Sequence, residues 1–191
     1  MTVPAGGLRP VSISARPAFY PGPVTLAACA QAAGFSQDVL QPPVTDVKGT
    51  HWTPSGLQVI LAIAGAESSG NAWGFHLNDS DGSMDHGAWQ INDAAHPSYF
   101  DGSRRPMSPY NPWDAARMAW EIHVQSGYKW TPWMAYAGPG AHWLGWRDLA
   151  LPGGGETWLR WAANGISGLN ALLAQGQTLR EIASVTEDEA P

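Results

Sequence analysis

The chain has 191 residues, of which 14% are charged, and its formal net charge is −6. This length suits one domain with terminal extensions, and the acidic balance argues against broad nucleic-acid binding, which usually needs a basic face. The single cysteine, Cys29, excludes an intramolecular disulfide framework, and no run approaches the ~20 apolar residues of a membrane span.

The first 23 residues are rich in Pro and Gly, and we predict that residues 1–23 form an extended arm. Its few large apolar side chains suit docking to a partner chain, with Ile13, Phe19 or Tyr20 as anchors. The stretch has neither a basic start nor the apolar core of about 7–15 residues that marks a secretory signal. We therefore expect the protein to be made in the cytoplasm without its own export signal.

Two helices are predicted in the next part of the chain. Residues 24–35 suit a short helix that Gly34 stops. After a polar link, Thr53 is the predicted N-cap of a second helix, with Pro54 at its first position, and this helix ends near residues 67–70. Its apolar positions recur with helical spacing at Leu57, Ile60, Leu61 and Ala64.

Residues 73–91 have little helical periodicity and many turn formers, which predicts a small irregular β-hairpin. Asn111 and Pro112 then begin a third helix that ends at Gly127. Further on, short Trp-lined helices are predicted at 130–136 and 140–149, followed by a helix at 157–173 and an acidic C-terminus.

Two carboxyl groups fall in chemically different surroundings. Glu67 lies at the end of an apolar helix and opens an E-S-x-x-N motif, whereas Asp85 lies in the polar block D-G-S-x-D-x-G-x-x-Q-I-N at residues 81–92. Glycoside cleavage needs this difference, because one carboxyl must keep its proton while the other stays ionised beside the developing oxocarbenium charge. The alternative for Glu67 is a polar residue that ends the helix or orders the hairpin.

The two motifs resemble the corresponding pieces of animal lysozymes, the established example of two carboxyls tuned apart. Over residues 24–147 the chain resembles lysozyme-like domains of the soluble lytic transglycosylase type, from actinobacterial phages and phage-derived particles. The resemblance implies an α+β fold: a mainly helical lobe, a small β-hairpin lobe, and a central cleft that holds Glu67. It also implies cleavage of the β-1,4 bond between N-acetylmuramic acid and N-acetylglucosamine in peptidoglycan.

In this resemblance Glu67 is the general acid and Asp85 is the ionised partner, although Asp85 lies one residue further from Glu67 than in animal lysozymes. Transglycosylases do without a second carboxylate, because the 6-hydroxyl of the substrate closes on the anomeric carbon. Asp79 or Asp81 could replace Asp85, or could simply stabilise the turn. The sequence therefore leaves open whether the protein is a muramidase, and so a hydrolase, or a lytic transglycosylase.

Aromatic and amide side chains supply the candidates for substrate binding. The chain holds eleven tryptophans, and their faces stack on the apolar faces of sugar rings. Gln90 either binds the substrate or fixes the hairpin, and His86 either lines the cleft or hydrogen-bonds within the hairpin. The groove candidates are Trp89, Trp130, Trp133 and Tyr136, the last in a segment where relatives carry an asparagine that is Ala137 here.

We expect no metal and no cofactor. The residues from Asp79 resemble the start of a calcium loop, but the twelfth position is Gln90 and the glycine comes fourth rather than sixth. The six histidines lack a zinc-ligand spacing.

The predicted organisation is an arm, a catalytic domain, a C-terminal helix packed on or beside it, and an acidic tail: 1–23, 24–150, 151–176 and 177–191. The expected partners are bacterial peptidoglycan and, through the arm, phage tail or injection-particle proteins, with no nucleic acid and no membrane span. The protein would then act at the cell wall as a virion or particle component. The alternative function is a structural or adaptor tail component whose domain binds wall with little or no turnover.

Overall fold

The computed structural model describes residues 18–45, 48–104, 107–133 and 157–184. The predictions for Ile13, Tyr136, the helix at 140–149 and the acidic end beyond residue 184 lie outside these residues.

Helices make up about half of the described residues. They are α1 Gly22–Ala33, α2 Gly56–Ser68, α3 Pro112–Gln125, α4 Trp158–Ala174 and α5 Leu179–Ser184, with 3₁₀ turns at Pro97–Tyr99 and Thr131–Trp133. All four longer helices were predicted from the sequence, with ends that differ by no more than two residues.

The helix α2 begins two residues later than predicted. Ser55, not Thr53, is the N-cap: its backbone is extended and its Oγ accepts a hydrogen bond from Gln58 N at 3.1 Å. The helix ends at Ser69, whose φ of 58° is left-handed, and Gly70 N bonds back to the carbonyl of Ala64. This cap places Glu67 in the last turn of the helix, at the edge of the core.

The core forms around α2, which is buried along most of its length against α1 and α4. Close approach of α4 depends on glycine, because a Cβ on Gly65 would overlap the ring of Trp158. A Cβ on Gly165 of α4 would likewise overlap Pro23 at the start of α1. The C-terminal helix is therefore an integral part of the domain core.

Two of the predicted boundaries are wrong. Phe19 belongs to the domain: its N and O bond to the Asn71 side chain and to Ala72 N, and its ring lies 5.1 Å from that of Trp73. The arm, with Phe19 as an anchor for a partner, therefore cannot extend to residue 23. The tail does not begin at residue 177 either, because α5 packs on α1 and buries Ile182.

The predicted hairpin is present and gains a third strand. β3 Phe75–Leu77, β4 Met84–His86 and β5 Ile91–Asn92 form an antiparallel sheet in the order β3-β4-β5. Asp85 in the central strand lies opposite His76 on one side and Asn92 on the other. A separate pair of short strands, β1 Val44–Thr45 and β2 His51–Trp52, precedes α2.

None of the helices in the described part of the chain is long and apolar enough to cross a membrane.

Candidate active site

A cleft lies between the end of α2, the three-stranded sheet and the 3₁₀ turn at Thr131–Trp133. It consists of two adjacent cavities of about 370 and 350 Å³ that share Glu67, Asp85 and Gln90 in their walls. Pro132 and Trp133 close the larger cavity, and Asn71, Phe75 and His76 line the smaller one. The two candidate carboxyls therefore lie where the two cavities of the cleft meet.

Glu67 is a half-buried carboxyl at the cleft wall. Burial raises its pKa to about 7, and the negative charge of Asp85 contributes to the same rise. Within the described residues no hydrogen-bond donor reaches the Glu67 side chain, so nothing there offsets the loss of water. This carboxyl keeps its proton over a large part of the neutral range, as a general acid must.

Asp85 is more deeply buried than Glu67, with 4% of the residue exposed, and it is hydrogen-bonded. One carboxylate oxygen accepts from Asn92 Nδ2 at 2.8 Å and the other from Asn78 Nδ2 at 3.2 Å. The hydroxyl of Ser83 accepts from the same two amides at 3.0 and 3.1 Å. These donors fix the direction of the Asp85 carboxyl group.

The other two aspartates of the hairpin differ from Asp85. Asp81 accepts from Ser83 N at 2.9 Å and from Ser83 Oγ at 2.7 Å, and these bonds lower the pKa of its carboxyl. This geometry supports the turn-stabilising interpretation of Asp81, which also lines the larger cavity. Asp79 is exposed in the same turn and is not among the residues that line either cavity.

Gln90 lies where the two cavities meet. Its backbone has a left-handed φ of 48°, and its Nε2 donates to the carbonyl of Gly87 at 2.8 Å. The amide therefore fixes the hairpin while its side chain forms part of both cavity walls, so the two roles proposed from the sequence are compatible. Asn92 has a structural role. Its Nδ2 donates to Asp85 and to Ser83, and its Oδ1 accepts from Ala95 N.

The prediction that Trp89 lines the groove is wrong. Its side chain is fully buried, and its Nε1 donates to the carbonyl of Ile60 in α2 at 3.0 Å. Trp130 is also a core residue, only 6% exposed and stacked on His123 at 4.1 Å. Neither ring is available to stack on a sugar.

His86 does not line the cleft either. Successive strand residues point to opposite faces of a sheet, so His86 lies on the face away from Asp85. Its ring contacts Phe100, with centroids 4.7 Å apart, and its Nδ1 lies 2.7 Å from the hydroxyl of Tyr110. The hydrogen-bonding alternative is the one that the geometry supports.

Trp133 lies at the wall of the larger cavity, half-buried, with its Nε1 bonded to the carbonyl of Trp89 at 3.0 Å. Sequence reasoning missed several other cleft residues: Asn78, Ser83, His76 and His96. A signal existed only for His76, Asn78 and Ser83, since all lie within the predicted hairpin. Their position beside Asp85 depends on strand register, which the residue pattern did not specify.

Among the described residues, no three His, Cys, Asp or Glu side chains converge in a way that could hold a metal ion.

Comparison with known proteins gave one match. Residues 47–135 match the family model described as "Lysozyme like domain", a span that includes Glu67, the three-stranded sheet and Trp133. Neither the curated proteins nor the solved structures that were searched gave a match. The helical lobe, the small antiparallel sheet and the cleft between them agree with this family, and the predicted α+β fold is confirmed.

Proposed function

We propose that this chain, which carries a lysozyme-like domain at residues 47–135, cleaves the β-1,4 bond between N-acetylmuramic acid and N-acetylglucosamine, with Glu67 as the general acid. The domain itself indicates a protein that acts on the glycan strands of peptidoglycan. The observation that carries the finer proposal is the pair of carboxyls in the cleft: Glu67 with a pKa of about 7, and Asp85 held by two amides.

The proposed first step uses the Glu67 proton. The protonated carboxyl donates to the oxygen that links the two sugars, the C–O bond breaks, and Glu67 is left as a carboxylate. Positive charge then develops at the anomeric carbon, and the carboxylate of Asp85 stabilises it. The asparagines support this role because they hold Asp85 in one orientation before the substrate binds.

The second step has two possible acceptors. A water molecule would give a reducing end, as in a muramidase, whereas the sugar's own 6-hydroxyl would give an anhydro end, as in a lytic transglycosylase. In either case the Glu67 carboxylate can take the proton of the attacking hydroxyl and so return to its starting state. Substitution of Asp85 distinguishes the two mechanisms. Asp85→Asn should reduce turnover heavily in a two-carboxylate hydrolase and only mildly in a transglycosylase.

The test is mass spectrometry of the muropeptides that the protein releases from purified sacculi. Reducing and anhydro products differ in mass by one water, so the spectrum gives both the cleaved bond and the acceptor. Glu67→Gln should reduce muropeptide release at least ~10²-fold, because glutamine keeps the shape of the side chain but has no acidic proton to donate. The matched control is Glu181→Gln, the same change at an exposed glutamate on α5 that lines neither cavity of the cleft.

Full release by Glu67→Gln would contradict the enzymatic proposal. If the wild-type protein binds sacculi and releases nothing, the chain is instead a wall-binding adaptor.

We also propose that a phage or injection particle delivers the protein to the wall. The support comes from the resemblance of residues 24–147 and from the Pro-rich composition of the N-terminal segment. Detection of the protein in purified particles, and its loss when the N-terminal segment is removed, would test this proposal.

A further inference from the structure

We propose that Asp93 is a positioning residue that holds Asp85 in place through the two chain neighbours of Asp85, Met84 and His86. This inference rests on the proposed function, since it concerns the second carboxyl of the cleft. Asp93 itself lines neither cavity, so it would act only through β4.

Asp93 reaches both sides of Asp85. Its Oδ1 accepts a hydrogen bond from Met84 N at 2.9 Å, and its own N donates to the carbonyl of Met84 at the same distance. Its Oδ2 lies 3.6 Å from His86 Nε2, close enough to attract the imidazole but too far for a hydrogen bond. Asp93 also follows Asn92, the residue that donates to Asp85. The carboxylate of Asp93 therefore contacts both chain neighbours of Asp85, and its backbone adjoins a residue that donates to Asp85.

The contact between His86 Nε2 and Asp93 lacks a hydrogen bond, and protonation of the imidazole can supply one. Its Nδ1 pairs with the Tyr110 hydroxyl, and its buried Nε2 has no hydrogen-bond partner among the described residues. In the neutral tautomer that carries its proton on Nε2, the Tyr110 hydroxyl donates to Nδ1 and the Nε2 proton faces the carboxylate of Asp93. With the imidazole charged, the hydroxyl turns to accept from Nδ1, and the Nε2 proton can close on Asp93.

Three charged or titratable groups act on His86. They are Asp93 after β5, Asp85 in β4, whose charge acts from the other face of the sheet, and Tyr110 before α3. Burial lowers the pKa of His86, and Asp93 and then Asp85 oppose that shift. The histidine is therefore neutral at neutral pH, and its contact with Asp93 tightens only as the pH falls. Removing the charge of Asp93 should lower the pKa of His86 further.

The kinetic test is Asp93→Asn, which keeps an oxygen for Met84 N but removes the charge that attracts His86. We expect kcat on purified peptidoglycan to fall about 10-fold with KM unchanged, because a misplaced catalytic group affects the transition state more than substrate binding. The control is Asp101→Asn, an exposed aspartate that accepts from Ser103 N at 2.8 Å in a comparable turn. If Asp85→Asn reduces turnover, equal kcat in Asp93→Asn and Asp101→Asn would overturn the positioning role.

A second measurement does not depend on catalysis. In Glu67→Gln protein, where ionisation of Glu67 cannot interfere, NMR would follow the His86 ring and the side-chain amides of Asn78 and Asn92 from pH 8 to pH 4. Loss of one ring signal in His86→Gln identifies the histidine. We expect both amides, which report the position of Asp85, to shift with the His86 midpoint, and this coupling to disappear in Asp93→Asn.

Amide signals that ignore the His86 titration, or that keep their shift in Asp93→Asn, would overturn the proposal. If the coupling is present while Asp85→Asn leaves turnover unchanged, Asp93 still positions Asp85, and the catalytic role of Asp85 is what fails.

Discussion

Glu67 combines two properties that a general acid needs: a buried carboxyl and a neighbouring negative charge. Both favour the protonated form, and together they raise its pKa to about 7. Asp85 is buried as well, but two amide donors and a serine network surround it. Different surroundings thus suit the two carboxyls of the cleft to the opposite tasks that we propose for them.

The pH dependence of turnover follows from this arrangement. Because Glu67 must be protonated, we expect kcat/KM to decline as the pH rises through about 7. Asp85→Asn removes a like charge that raises the Glu67 pKa, so in that variant the decline should begin at lower pH. Initial rates of soluble glycan release between pH 5 and 9 would check both expectations, and an unchanged midpoint would contradict the coupling of the two groups.

The same pKa predicts a conflict between activity and stability. A carboxyl whose pKa rises from 4.5 to about 7 on folding binds more protons when folded, so the free energy of unfolding falls as the pH rises through that interval. The loss is of the order of 3 kcal/mol above pH 7. Glu67→Gln should therefore be more stable than wild type at pH 8, and this advantage should disappear near pH 4.

Urea denaturation of both proteins at the two pH values would measure the difference. Glu181→Gln is the contrasting control, because hydrogen bonds lower rather than raise the pKa of that carboxyl. Equal stability of wild type and Glu67→Gln at pH 8 would mean that folding does not raise the pKa of Glu67.

The sequence alone indicated Glu67 and Asp85, because both lie in motifs whose spacing is local. The predictions that Trp89 and His86 line the cleft were wrong. Both residues belong to the same motif as Asp85, but their side chains point away from the cleft. A one-residue step along a strand or tight turn reverses the face on which a side chain lies. Residue type therefore predicted sugar-binding side chains, and two of these, Trp89 and His86, pack inward in the structure.

At the scale of the elements, the position of the hairpin depends on one close approach. Gly87 has a φ of 73°, and a Cβ there would overlap the carbonyl oxygen of Pro109. Gly87 N also donates to the carbonyl of Gly74 at 2.7 Å, which joins β4 to the turn that follows α2. The glycine thus lets the strand that carries Asp85 lie against the loop before α3.

Gly87→Ala should therefore cost more than the left-handed backbone alone. Gly82 has the same φ of 73° with nothing within 4 Å of its Cβ position, so Gly82→Ala isolates the backbone cost of about 1 kcal/mol. The overlap with Pro109 should add about 1–3 kcal/mol in Gly87→Ala. Denaturant titration of the two variants would give the difference, and equal losses would show that the Pro109 loop yields freely.

The helices were predicted better than their ends. Apolar spacing located α2 and α4, and Asn111 correctly marked the start of α3, where its Oδ1 accepts from Trp113 N at 2.9 Å. The start of α2 was misplaced because Thr53 and Ser55 are both suitable caps by type. Ser55 is the N-cap of α2 because Gly56 N bonds to the carbonyl of Val39, a residue distant in sequence. Local patterns cannot report such a partner.

On the scale of the whole molecule, the domain is closed by segments that sequence reasoning assigned to its periphery. Phe19 packs on Trp73 close to Asn71 of the E-S-x-x-N motif, and Pro23 fills the space over Gly165. α4 and α5 complete the core on the other side, through contacts with α1 and α2. The lysozyme-like match at residues 47–135 therefore covers the cleft but not all of the fold that supports it.

Two N-terminal deletions separate delivery from folding. Removing residues 1–17 leaves the contacts of Phe19 and Pro23 within the described residues in place, so we expect glycan release from purified sacculi and Tm to remain near wild type. Removing residues 1–23 also removes the Phe19 ring on Trp73, the bonds to Asn71 and Ala72, and the Pro23 contact with α4. Loss of one large buried aromatic alone typically costs about 3–5 kcal/mol, and less where it is partly exposed. The longer deletion should therefore lower Tm and activity together, while the shorter one affects only association with a particle. A stable, active protein lacking residues 1–23 would show that the domain begins at α1.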